Sequence, residues 1–412
     1  MTLWTPEWSI LINGATEYAG LTLANMTITE GRTDIYSQPV AGYCSVEILN
    51  LNLANYDFDI NDSIIVKVKN SAGVYLSIFG GYINSITNQV TSSGSSGINE
   101  SVLVTALGAL SKLPKTLTEG VLSKDLDGIQ IYDILSQILF LTWANYPTIT
   151  WAASDPAVTW EQAGNNGLGE IDAGDYELAA RTSSRTDIYS LVSFLATSGL
   201  GYLYEDPQGR VSYASSTHRS TYFTANGYVQ VSANDALSSG ISTSRKLGDL
   251  RNNITVQYKN DAEVSASDLA SILQYGYQAS IVSTSIEDET DAQFQADYYL
   301  GIRAYPQDQF SSITYTLGNP ELDDGDRDSL LGVFMGLPLD ITDLPTNMVD
   351  GRFQGFVEGW TWRTGFNRLD LTLTVSPVAY SLLATRWNGV SALETWNTLD
   401  PTLDWTNATL VA

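Results

Sequence analysis

Tyr43-Cys44-Ser45-Val46-Glu47-Ile48-Leu49 alternates apolar and polar residues along its length. A period of two places Cys44, Val46 and Ile48 on one face of an extended chain and Ser45 and Glu47 on the other, the pattern of a strand with one wet face. Ser63 to Val68 repeats the alternation with β-branched residues. Outward from these two runs, residues 7–110 read as strands joined by tight turns. Trp8-Ser9-Ile10-Leu11-Ile12 leads into Asn13-Gly14, a pair favoured in two-residue hairpins because both positions take positive φ. Asn70 to Gly73 reads as another hairpin turn, and Tyr75 to Ile83 continues the sheet across Gly80-Gly81. Residues 91–100 (TSSGSSGINE) read as a flexible loop, and Ser101 to Leu107 as a strand. Short strands at this density predict a small barrel or sandwich over residues 1–116.

The period then changes. In GIQIYDILSQILFLTW, Ile131, Ile134, Leu135, Ile138 and Leu139 recur at the spacing of one helix face, with Asp125 or Asp127 as the N-cap. Thr182 to Ser198 repeats the theme: Ser183 or Ser184 caps, Ile188, Leu191, Val192 and Leu195 form the stripe, and Gly199 and Gly201 end it. Tyr202-Leu203-Tyr204 and Arg210-Val211-Ser212-Tyr213 flank Glu205-Asp206-Pro207-Gln208-Gly209 as a hairpin. Residues 117–245 therefore read as a mixed α/β insertion. Residues 246–380 read as a second β region, with strands at 253–258, 311–317, 330–335, 355–362 and 369–375. A helix over about 287–303 is set among them, its first turn acidic and Arg303 near its end. Ser376-Pro377 predicts the start of a short helix. Residues 381–412 form a Trp-rich C-terminal arm, with Trp387, Trp396 and Trp405 nine residues apart. Ile78-Phe79-Gly80-Gly81-Tyr82-Ile83 and Phe353-Gln354-Gly355-Phe356-Val357-Glu358-Gly359-Trp360 are alike in kind, which suggests an internal duplication of one barrel. The fold class is mainly β (α+β).

Composition narrows the chemistry. The 412 residues carry 46 acidic and 20 basic side chains, a net charge of −26, with one histidine and one cysteine. Residues 117–180 are the most acidic stretch, one basic residue against ten acidic ones. A His-ligated metal site needs several imidazoles, and a Ser-His-Asp triad would rest on His218 alone. His218 is expected on the surface after the hairpin, and Cys44 as a small buried hydrophobe. Glu321-Leu322-Asp323-Asp324-Gly325-Asp326-Arg327-Asp328 resembles part of a calcium loop but lacks the spacing and closing Glu of an EF-hand; it reads as a solvated acidic turn, as does Glu170-Ile171-Asp172-Ala173-Gly174-Asp175. Gly164-Asn165-Asn166-Gly167-Leu168-Gly169 reads as a loop with no phosphate-cradling context. No catalytic, cofactor or metal residues are expected, and the chain reads as a structural or binding protein, not an enzyme. The charge opposes tight nucleic-acid binding but suits a surface along which nucleic acid passes without sticking. The opening MTLWTPEWSILING has no basic n-region, so no signal peptide is expected, and no run of 18 apolar residues offers a membrane span.

One block is more specific. Glu30-Gly31-Arg32-Thr33-Asp34, followed by Ala41-Gly42-Tyr43-Cys44-Ser45-Val46-Glu47-Ile48-Leu49-Asn50, resembles the N-terminal pattern of minor tail proteins of long-tailed actinobacterial phages. Residues 62–83, Asp187 to Tyr213, Ser376-Pro377 and the Trp-rich end resemble later segments of that family in order, although Asn61-Asp62-Ser63 stands where Gly-Asp is commoner. Such proteins are similar to baseplate or tail-tip hub proteins. The resemblance implies two tube-like β-barrels with helical insertions, and a homotrimer whose ring joins a tail tube to the tip. It also implies distal tail, tape measure and other tail-tip proteins as partners, genomic DNA passing through an acidic lumen, and a place in the virion tail tip after assembly in the host cytoplasm. Trp8, Arg32 and Tyr43 are the expected ring contacts, and Trp387, Trp396 and Trp405 the expected arm contacts. A host-surface carbohydrate-binding tail protein and a hexameric distal-tail ring protein are the alternatives.

Overall fold

The computed structural model describes residues 4–16, 21–35, 37–50, 55–94, 97–142, 168–236, 241–259, 261–306, 309–346, 351–365, 367–378 and 381. The fold is mainly β. A thirteen-stranded sheet runs in the order Ser242–Ser244, Gln309–Thr316, Arg368–Pro377, Phe353–Gly365, Leu21–Gly31, Tyr43–Asn50, Gly97–Leu107, Tyr75–Gly94, Ser63–Lys69, Trp8–Ile12 and Ala15–Thr16. Pro338–Thr342 branches from Phe353–Gly365 and carries Val229–Ser232 beside it in parallel. Every pair along the main path is antiparallel.

Among the described residues this pairing closes neither of the two expected barrels. Taken alone, each β region would leave one edge strand with unpaired N–H and C=O groups. The two edges meet: Thr27–Gly31 pairs with Gly359–Arg363, so one sheet crosses from the first β region to the second. The strand at 43–50 behaves as its alternation predicts, with Cys44, Val46, Ile48 and Asn50 buried and the residues between them less so. Asn13 and Gly14 take φ of 50° and 74°, the backbone a type I′ turn demands. The expected loop at 91–100 is instead strand on both sides, paired as far as Gly94 and Gly97. Small Ser and Gly residues do not prevent pairing when the partner strand is two residues away.

Six helices lie among the described residues: α1 (Asp127–Thr142), α2 (Ile188–Ser198), α3 (His218–Asn226), α4 (Leu269–Tyr275), α5 (Glu289–Arg303) and α6 (Asp324–Leu331). α1 and α2 bury Ile131, Ile134 and Leu135 of the first predicted stripe against Ile188, Leu191, Val192 and Leu195 of the second; the side chains of Ile138 and Leu139 lie outside the described residues. The sheet of Ala262–Ser267, Asn253–Tyr258 and Ala279–Ser283 shares this second core, through Ile254 and Val256, with Ala292 and Ala296 of α5. No described helix is long and apolar enough to cross a membrane.

Several local expectations are corrected. α2 begins at Ile188, not Thr182, because Thr186-Asp187 is drawn into a bridge with Leu117–Thr118. Asp187 then caps in place of Ser183 or Ser184, accepting from the Ser190 N–H at 2.8 Å. Of the acidic run 321–328, read from sequence as a solvated turn, residues 324–328 form the first turns of α6, with Asp323 as N-cap and acids where the helix dipole favours them. Arg327 is buried and donates to the Leu317 and Leu322 carbonyls, so Leu330 and Leu331 finish a helix rather than start a strand. Ser376 and Pro377 end the strand Arg368–Pro377, paired with Phe356 and Gly355, instead of opening a helix. α3 and α4 have no counterpart in the sequence reading.

The hairpin Tyr202–Glu205/Val211–Ala214 positions everything that follows. Both its faces are buried. Tyr202, Tyr204 and Ala214 pack into the core of the main sheet, while Leu203, Val211 and Tyr213 pack into the second core. It is the wall between the two.

Candidate functional site

A buried charge cluster is built where that wall meets the main sheet. Glu358 lies mid-strand in Phe353–Gly365, its side chain 1% exposed. Its carboxylate accepts four hydrogen bonds. Arg32 Nε donates to Oε2 at 2.7 Å, Arg219 Nη1 to Oε1 at 2.7 Å, Arg219 Nη2 to Oε2 at 2.9 Å, and Ser376 Oγ to Oε1 at 2.6 Å. Four donors fill a carboxylate's acceptor sites. Both guanidiniums also lie on the Tyr202 ring, 5.0 and 4.6 Å from its centroid. Burial pushes the Glu358 carboxyl up, but Arg219, Arg32 and the hydrogen bonds outweigh it and hold the group at about 2. The cluster ties four distant segments together: the end of strand Leu21–Gly31, the 202–204 strand, α3 and the last two strands of the sheet.

Above it opens a cavity of about 440 Å³ whose lining includes Arg32, Arg219, Arg251 and Arg303. Tyr298, Tyr299 and Ile302 supply its less polar wall. Gln38 fastens one side, donating to Gly201 O at 3.0 Å and accepting from Leu203 N at 3.1 Å. In a chain of net charge −26 the recess gathers four arginines, of which Arg32 and Arg219 are paired with Glu358 while Arg251 and Arg303 share the lining with Asp249.

Beside the hairpin in the same small sheet, the strand Leu168–Ile171 runs parallel to Val211–Ala214 and brings Glu170 and Asp172 beside the start of α3. Asp172 Oδ2 accepts from Ser215 N at 2.9 Å and meets His218 Nδ1 at 2.6 Å. His218 is thus buried, its side chain 8% exposed, where the sequence reading placed it on the surface. The parallel strand pair, a feature of tertiary structure, draws it in. Asp175, next to this group, is taken up by Ser216 Oγ and by the Thr217 N–H and Oγ1. A third acidic group flanks the hairpin turn. Glu205 accepts from the Gly42 N–H at 2.7 Å and from the Leu110 N–H, and Asp206 caps its own turn through Gln208 and Arg210. Burial first, then the charges of Glu205 and Asp206, raise the Glu30 carboxyl well above its usual range.

Of the sequence-predicted interface residues, Arg32 enters the Glu358 cluster. Tyr43 starts its strand 42% exposed and pairs with Thr29, close in register to Arg32. Trp8 is half-buried and pairs with Val68 near the far edge of the sheet, away from those two. Trp387, Trp396 and Trp405 lie outside the described residues. Sequence reasoning missed Glu358, Arg219 and Tyr202. One signal was present: Glu358 is a lone acid in an otherwise apolar strand run, and a buried charge demands a partner.

No family model matches this sequence, and neither does any curated protein. The fold does have matches among solved structures. The tail protein from Neisseria meningitidis MC58 superposes with a TM-score of 0.57 at 12% identity, covering 92% of this chain and 98% of that one. The 43 kDa tail protein of prophage MuSo2 from Shewanella oneidensis gives 0.51 at 11% identity, covering 90% and 99%. At these identities the likeness is one of fold, and it runs nearly end to end in both.

Proposed function

We propose that this chain is a structural subunit of a phage tail tip, a hub protein that assembles as a trimeric ring between tail tube and tip. The observation that carries the reading is the fold shared with two tail proteins over 92% and 90% of this chain and nearly all of each of theirs. Around it, the two β regions act as paired wall segments, each contributing a tube-like barrel element to the ring. Three copies with two such elements each would match a sixfold tube to a threefold tip, and closed cyclic symmetry is the usual form of homo-oligomers. The net charge of −26 suits a lumen through which DNA passes, since carboxylates repel phosphates and leave no cationic track for them. Distal tail, tape measure and other tip proteins are the partners this position requires, and the virion tail tip is the location. The protein's work is assembly, not catalysis.

Single-particle imaging of the assembled protein or of tail tips tests this. A closed threefold ring with two wall elements per subunit around an acidic pore is the expected result. A sixfold ring, or a peripheral position with no contact to the tail axis, would overturn the hub reading.

A further inference from the structure

The geometry points to a structural divalent-metal site formed by Glu170, Asp172 and His218, with a transition metal such as Zn²⁺ as its ion. All three groups are buried: Glu170 and Asp172 are 5% and 6% exposed, and the His218 side chain 8%. One ligand atom from each lies within 4.8 Å of the other two. Ligands about 2.0–2.2 Å from a tetrahedral ion stand roughly 3.3–3.6 Å apart, so an inward movement of the side chains would complete a coordination sphere. Glu170 and Asp172 are two positions apart on an extended segment and so project to one side, the side on which α3 begins. Asp172 Oδ2 is fixed by the Ser215 N–H and meets the imidazole, while Oδ1 accepts no hydrogen bond among the described residues.

The donor set decides the class of ion. One nitrogen and two carboxylates suit a borderline metal with a water in the remaining position, whereas calcium and magnesium favour all-oxygen shells. The site needs only one imidazole, which the count of histidines does not forbid. Its effect would be mechanical. The residue after His218 is Arg219, which holds Glu358, so an ion here would fix the start of α3 and with it the floor of the arginine-lined cavity.

The test uses the full-length protein, depleted with chelator and then titrated with Zn²⁺ or Co²⁺. One tightly bound equivalent, a rise in Tm of about 5 °C at saturation, and a visible Co²⁺ absorption band of a low-coordinate site are expected. Glu170→Gln and His218→Gln should each weaken binding at least about tenfold, the scale of a lost ligand or orienting partner. Metal bound only loosely by the acidic surface would show no such band and no response to Glu170→Gln, which would overturn the proposal. So would the absence of a one-to-one site in the depleted wild-type protein, a result that does not depend on any variant folding. An equal response to Ca²⁺ would overturn the assigned role of His218.

Discussion

Replacing Glu358 by Gln should reveal how much of the fold hangs on one carboxylate. The substitution keeps the shape but removes the charge from between Arg32 and Arg219, and it turns one of two acceptor oxygens into a donor that faces other donors. The magnitude follows from the carboxyl's own ionisation. A group usually near 4.5 and held at about 2 in the fold contributes about 3 kcal/mol at neutral pH, at about 1.36 kcal/mol per unit. Removing one member of a buried ion pair costs about 3–5 kcal/mol, an independent route to the same size. Because the folded value lies below the unfolded one, this contribution is fully present above about pH 4.5 and fades as pH falls toward 2. Urea unfolding followed by tryptophan fluorescence, at pH 7 and again near pH 3, is the assay. The variant should be about 3 kcal/mol less stable at pH 7, and the gap should narrow at the lower pH. A loss under about 1 kcal/mol at pH 7, or a gap that does not change with pH, would refute the reasoning.

Other expectations follow from the same packing. Burial pushes the Glu205 carboxyl up to about 7, against the pull of the Gly42 and Leu110 N–H groups; that contribution is present below about pH 4.5 and is lost as pH rises to 7. With Glu358 weakening the fold on the acid side, Tm scanned from pH 3 to 8 should peak near pH 5, and a peak at pH 7 or above would contradict it. At Gly80 a Cβ would stand 2.3 Å from the Gln208 carbonyl carbon and 2.4 Å from the Gly209 nitrogen, both backbone atoms. Gly80→Ala should therefore cost about 1–3 kcal/mol in denaturant unfolding by lifting the 206–209 turn off the sheet. Asp187→Ala removes the cap of α2 and should cost about 1 kcal/mol in the same measurement, with Asp187→Asn recovering most of it.

What could be read from the sequence was whatever is local. The alternation at 43–50, the Asn13-Gly14 turn, the stripes of α1 and α2 and the hairpin at 202–213 each depend on neighbours in the chain, and each appears in the structure. Local readings failed where a distant partner decided the outcome. Thr186-Asp187 left the predicted helix for a bridge to residues 117–118, and Ser376-Pro377 stayed in a strand because Gly355 and Phe356 lie alongside. The candidate sites were harder still. Glu358, Arg32, Arg219 and Tyr202 carry no shared spacing, and only the packing of the hairpin between the two cores brings them within bonding distance. The place of His218 just after a hairpin suggests exposure, while its burial comes from a parallel strand pair that no short-range pattern encodes.

The join between Leu21–Gly31 and Phe353–Gly365 bears on how the chain comes off the ribosome. The Met26 N–H donates to Thr364 Oγ1 at 2.7 Å across 338 positions of sequence. At ~5–20 residues per second, the early strand waits roughly 20–70 s for its partner to be made. During that interval its Thr27–Gly31 edge is open to any other strand, including the same strand of a neighbouring nascent chain. Pairings between ends so far apart also close slowly, since the loop entropy is lost before the contacts form. The last hundred residues thus seal the main sheet, and chains stopped short of residue 353 should emerge with a sticky edge and depend on chaperones to stay apart.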